Sequence, residues 1–242
     1  MNAHEATALF HSGLGTIALL TFWIAALARK GSVPHRYAGR VYLVAMLGLL
    51  VPAIPLSAAV FQKSVAFGSF LFYLVLITVS ALWQGWFAVR HKRDFSRYAG
   101  PGLRNLAWIN IAAGAAVLAL GITLKQPIFI GFSLIGLLGG PGMLKLIRTG
   151  PAHPRWWMEQ HLGAMLGCGV ATHIAFLSLG LPRLLPSLSG QTLQLIAWMG
   201  PLALSLLARA WLGRKYLPRR PSNHGSSPHT SPSRDQPSPL PR

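Results

Sequence analysis

Apolar and polar positions along this chain fall into long blocks rather than the short strides of an amphipathic surface helix or a strand. Runs of about 20 predominantly apolar residues are what an α-helix needs to cross a hydrocarbon layer about 30 Å thick at about 1.5 Å rise per residue. Seven such blocks occur, from Thr7 to Ala28, Val41 to Phe61, Val65 to Val89, Leu106 to Leu124, Pro127 to Ile147, His161 to Leu181, and Thr192 to Leu212. The pattern predicts an all-α polytopic membrane helix bundle of about seven transmembrane helices over residues 1–217. The fifth block is the least regular. Its "GLLGGPGM", residues 136–143, sets Pro141 among glycines and predicts a broken helix. Residues 218–242, "PRRPSNHGSSPHTSPSRDQPSPLPR", have no apolar periodicity and read as a disordered Pro/Ser-rich basic tail.

Charge orients the blocks, because short cytoplasmic loops carry the Lys and Arg excess. The connections after blocks one, three and five hold Arg29, Lys30, Arg36 and Arg40, then Arg90, Lys92, Arg93, Arg97 and Arg104, then Lys145, Arg148 and Arg155. Seven more cations lie at the end of block seven and in the tail, against Lys63, Lys125 and Arg183 on the other side, a split of 19 to 3. The N-terminus is therefore expected outside and the C-terminus in the cytoplasm. A cleaved leader would need positive charge ahead of the first apolar run, whereas the first seven residues carry Glu5 and no Lys or Arg, so block one reads as a span.

Composition agrees: 52% of residues are hydrophobic and 11% charged. A net charge of +18 would suit nucleic acid only if the cations shared one folded aqueous surface, and here they are dispersed between apolar blocks. The lipid bilayer is the expected partner and nucleic acid is not. The single cysteine, Cys168, lies inside an apolar block and reads as a small packing residue.

No block carries an Asp or Glu well inside it; Glu159 stands at the cytoplasmic mouth of block six. A proton- or sodium-coupled transporter usually needs a buried carboxylate, and zinc sites favour close clusters of His, Cys and acid. The remaining chemistry is imidazole. His11 is expected about one turn into the first span and His173 in the outer half of the sixth, in one leaflet. His161 opens the sixth span on the cytoplasmic side, where it is expected to meet His35 or His91, with His153 in a loop. His161 and His173 are twelve residues apart, about 18 Å along a helix and about 120° around it, so they do not serve one groove. In "KGSVPHRYAGRVY", residues 30–42, His35, Arg36 and Arg40 form a loop cluster suited to an anionic headgroup, a haem propionate or a quinone oxygen. Trp156 and Trp157 read as interfacial anchors, and "GAMLG", 163–167, as a small-xxx-small contact.

"FHSGLGTIAL" in the first span, "KGSVPHRYAGRVYLVAML" around the first loop, "FYLVLITVSALWQGWFAVR" in the third span and "HLGAMLG" opening the sixth together resemble a family of uncharacterised bacterial multi-span membrane proteins, a domain of unknown function, across most of residues 8–180. The resemblance implies a place in the bacterial cytoplasmic membrane and singles out His11, His35, Arg36, Gly39, Arg40 and His161. It includes no histidine at the place of His173.

Three function classes follow. Neutral imidazole is a haem ligand and cationic side chains hold propionates, so one is a b-type haem or quinone-linked electron-transfer protein using His11, His35, Arg36, Arg40, His91, His161 and His173, with a quinone or membrane redox partner. A small-molecule carrier or channel would use the broken fifth span and Pro52 and Pro55. A partner or assembly subunit would have no chemistry of its own.

Overall fold

The computed structural model describes residues 2–180, 182 and 190–217. The described residues form helices and no strand: α1 (Ala3–Leu27), α2 (Val33–Lys63), α3 (Val65–Arg90), a short α4 (Phe95–Tyr98), α5 (Pro101–Thr123), α6 (Pro127–Thr149), α7 (Trp156–Ala175) and α8 (Gln191–Tyr216). A π-helical turn, Phe176–Gly180, continues α7. Among the described residues seven helices are long and apolar enough to cross a bilayer, so the chain is a multi-pass membrane protein. The tail expected to be disordered, 218–242, and Arg183 lie outside the described residues.

Local chemistry sets the helix starts. Asn2 accepts the Glu5 N–H at 2.8 Å while Glu5 returns to the Asn2 N–H at 3.1 Å, a reciprocal cap on α1. Ser32 caps α2 by accepting the His35 N–H, with Pro34 just inside the helix. Helix therefore begins at Val33, eight residues before the apolar block, and the supposed loop cluster of His35, Arg36 and Arg40 lies within α2. Asp94 caps α4; hydrogen bonds from the Ser96 hydroxyl and the Arg97 N–H hold its carboxyl below the usual aspartate range.

Helix α3 is the hub. Helices α2 and α7 pack on it from one side and α5 from another, while α1 lies on α2, α6 on α5 and α8 on α7. Two hydrogen-bonded contacts fix the α3–α5–α6 side. Asn110 donates to the buried Ser80 hydroxyl at 2.8 Å, and the Tyr73 hydroxyl donates to the Phe132 carbonyl at 2.9 Å. Near the centre of the other side Ala18, Tyr42, Met46, Leu82 and Cys168 share a core, with the Tyr42 and Thr172 hydroxyls 3.2 Å apart.

The chain passes back and forth, so one end of the bundle holds the α1–α2, α3–α5 and α6–α7 connections and the end of α8. That end carries all the described Lys and Arg except Lys63 and Lys125. We call it the basic end.

Two expectations are corrected. Helix α6 runs unbroken through Pro141. The reason is packing: Gly136 and Gly140 present bare backbone to α5, so close that an added Cβ would collide with the Asn110 and Ala107 carbonyls, while exposed Pro141 points away from α5. Trp156 is not an interfacial anchor. It is 5% exposed, its ring 4.9 Å from Tyr98 and 5.1 Å from Phe95 in an aromatic core at the basic end. Trp157 keeps the expected amphipathic position, with the Lys92 ammonium 5.8 Å from its ring.

Gly136→Ala is expected to destabilise the purified protein by about 1–3 kcal/mol through overpacking. Gly139→Ala, where an added Cβ meets nothing within 4 Å, is the matched control. Thermal unfolding in detergent measures both, and equal midpoints would contradict the tight α5–α6 contact.

Candidate functional site

The histidines divide into those that tie helices together through the main chain and those that do not. His11 on α1 places Nδ1 2.9 Å from the Leu49 carbonyl of α2. His35 on α2 places Nδ1 2.9 Å from the Ala25 carbonyl of α1. The two contacts are reciprocal across one antiparallel pair, fourteen residues apart on each helix, or about 21 Å. His161 on α7 places Nδ1 3.1 Å from the Gly85 carbonyl of α3. A carbonyl only accepts, so each of these Nδ1 atoms carries the proton. In the neutral ring Nε2 is then left with a lone pair.

Each acceptor has a physical reason to be available. Pro52 and Pro55 lack N–H groups, which strips the carbonyls of Gly48 and Val51 of their helical donors and loosens the ladder on both sides of Leu49. Ala25 belongs to the last turn of α1, whose carbonyls have no intrahelical donor. There the Lys30 ammonium also reaches the Ala25 carbonyl, at 3.3 Å, and that of Ala26. Gly85 has no side chain to hold α7 away: Ala164 and Met165 close over it.

His35 and His161 lie toward the basic end from one shared contact between α2 and α7. Tyr42 meets Thr172, and from that contact His35 lies seven residues toward the basic end on α2 and His161 eleven on α7, about 10 and about 16 Å. Both His35 and Lys30 lie within electrostatic range of His161. The site at this level is thus two half-buried imidazoles from different helices, with Lys30 of the α1–α2 connection beside them. Burial, and after it repulsion from Lys215 of α8, pushes the Lys30 ammonium below the usual lysine range.

The other candidates sit elsewhere. His173 does not share a level with His11. Its Nε2 accepts the Trp23 Nε1–H at 3.0 Å, and Trp23 is twelve residues, about 18 Å, along α1 from His11. The expectation failed because equal counts from the helix ends do not give equal depth: His173 meets α1 at Trp23, near its basic end. His173 also gives Nδ1 to the Gly169 carbonyl at 2.7 Å, which leaves neither ring nitrogen free. His91 ends α3, its ring 4.0 Å from Phe87 and its Nδ1 3.3 Å from the Phe87 carbonyl; it is held on its own helix. His153 pairs with Glu159 at 3.4 Å. Arg36 and Arg40 are separated from His35: they share the exposed face of α2 with Val33 and Tyr37, lining a shallow groove of about 370 Å³.

Lys30 was visible in the sequence only as one of many loop cations. The carbonyls of Leu49, Ala25 and Gly85 had no side-chain signal at all. Among the described residues no group of three or more His, Cys, Asp or Glu side chains is placed to hold a metal ion. No protein-family model, curated protein or solved structure matches this chain.

Trp23→Phe keeps the ring contacts around His173 and removes the donor. It should cost about 0.5–1.5 kcal/mol of stability and uncover Nε2, so that the His173 ring signals shift in nitrogen-15 spectra. Unchanged His173 signals would contradict the Trp23 contact.

Proposed function

We propose that the chain is an electron-transfer protein of the bacterial cytoplasmic membrane, N-terminus outside and C-terminus cytoplasmic, that holds a b-type haem between His35 and His161. One observation carries the reading: these are two imidazoles from different helices at neighbouring levels, each with Nδ1 against a main-chain carbonyl, an arrangement that leaves Nε2 with a lone pair in the neutral ring. That is the tautomer an axial ligand requires, with the ring orientation already set by its outer hydrogen bond. When bound, a b-type haem supplies reversible one-electron chemistry. His35 and His161 would ligate it, and Lys30 is the cation beside them for a propionate.

The same chemistry separates this reading from a quinone site. A quinone oxygen only accepts, and so does a lone-pair Nε2, so the two would not bond; a quinol hydroxyl, which donates, would. The carrier reading rested on a broken fifth span and on Pro52 and Pro55; α6 is continuous, and the two prolines lie inside α2. His11 ties α1 to α2 about 21 Å from His35 and serves the fold in this account.

Protein purified in detergent from haem-supplied cells should show a Soret band that shifts on reduction. His35→Ala and His161→Ala should each remove most of it, while His173→Ala, whose ring nitrogens are already engaged, should keep it. A colourless preparation, or a band that survives both the His35 and His161 substitutions, would overturn the proposal. A periplasm-active reporter fused after Leu217 should be inactive, because the 19 to 3 cation split favours that end in the cytoplasm; activity outside the cell would reverse the orientation.

A further inference from the structure

A groove of about 380 Å³ opens between α7 and α8 at the basic end, lined by Glu159, Leu162, Leu206, Arg209, Arg214 and Leu217 among others. Its form depends on a missing side chain. At Gly163 an added Cβ would collide with the guanidinium of Arg209, so the glycine lets that head group lie on the backbone of α7 and sets it at the groove wall. Lys215 follows Arg214 in sequence and lies within electrostatic range of Lys30 on the α1–α2 connection. Two guanidinium groups, Arg209 and Arg214, line the groove, and the one carboxylate among the lining residues, Glu159, is turned to His153 at 3.4 Å.

The surroundings specify what kind of anion fits. Trp211 is 62% exposed, and the Lys215 ammonium lies 5.2 Å from its ring and 5.4 Å from that of Tyr216. Exposed Trp and Tyr beside Lys mark the headgroup level of a membrane. Leu162 on α7 lines the groove at the level of the Arg209 head group, and Leu206, three residues deeper than Arg209 on α8, is 61% exposed. The site is cationic where a phosphate would lie and apolar where a chain would continue.

We propose that this groove binds one anionic phospholipid, its phosphodiester held by Arg209 and Arg214, with Lys215 and Lys30 adding charge, and an acyl chain against Leu162 and Leu206. Guanidinium groups bond phosphate oxygens in pairs, and a basic recess between transmembrane helices is suited to an acidic head group. Gly163 is the positioning residue. The groove shares only Lys30 with the proposed haem site: Arg209 and Arg214, which would bond the phosphodiester, line it, and His35 and His161 do not.

The test uses the full chain in mild detergent, with native mass spectrometry after incubation with phosphatidylglycerol, phosphatidylcholine or inorganic phosphate. One phosphatidylglycerol should be retained per chain and phosphatidylcholine should not. The double variant Arg209→Ala/Arg214→Ala should lower retention roughly tenfold or more, as expected for losing charge-assisted hydrogen bonds. Gly163→Ala, which changes no charge, should also lower it by re-aiming Arg209. Lys145→Ala/Arg148→Ala removes two exposed charges from the same end on α6 and should leave retention unchanged. Equal retention of both lipids, normal retention in the Arg209/Arg214 variant, or equal loss in the Lys145/Arg148 control would overturn the site. Displacement of the lipid by millimolar inorganic phosphate would also overturn it, in favour of a free-anion site. Should the double variant fail to fold, Gly163→Ala decides: normal retention there contradicts the proposal.

Discussion

A polar hydrogen taken out of water into hydrocarbon needs an acceptor, and in this bundle the imidazole protons find main-chain carbonyls. His11, His35 and His161 each reach across to a neighbouring helix, while His173 turns to its own. Isolated polar atoms in an apolar medium cost several kcal/mol, about the scale of a domain's whole net stability, so these bonds decide helix placement. The acceptors occur where a helix is already short of donors or bare of side chains. They are a proline-loosened turn at Leu49, the last turn of α1 at Ala25, and a glycine at Gly85. The α1–α2 pair is thereby tied at two levels, and α7 is tied to α3 near the basic end.

The same bonds shape the chemistry. A ring that donates from Nδ1 to a carbonyl presents Nε2 as a base, and two such rings, His35 and His161, lie near one another beside Lys30. Where the second nitrogen is also spent, as in His173, the ring is a structural link between helices. The division among the histidines is therefore set by hydrogen-bond accounting rather than by depth in the membrane. Glycine plays the complementary part. Gly136 and Gly140 bring α6 onto α5, and Gly163 leaves room for the Arg209 head group.

Much of the architecture could be read from the chain because bilayer thickness imposes a length on apolar blocks, and all seven blocks became helices. Ends were read less well. Ser32 and Pro34 begin α2 inside a stretch whose polar residues suggested a loop, and that shift of eight residues puts His35 and Arg36 on different faces of one helix. Pro141 suggested a break because the local rule sees a missing donor, whereas α6 continues through it where Gly136 and Gly140 pack on α5. Depth was the weakest inference. It assumed that every span starts and stops at common planes, but α2 has 31 residues and α7 has 20, so positions counted from helix ends do not align. The sequence left His35 and His91 as alternative neighbours of His161, and the main-chain acceptors of these rings had no sign in it, since carbonyls leave no mark in a sequence.

Nitrogen-15 spectra of histidine-labelled protein in lipid nanodiscs at neutral pH measure directly where the protons sit on these rings. The account predicts Nδ1 protonated and Nε2 bare on His11, His35 and His161 in the cofactor-free protein. Rings protonated at Nε2 alone, or at both nitrogens, on His35 and His161 would contradict it.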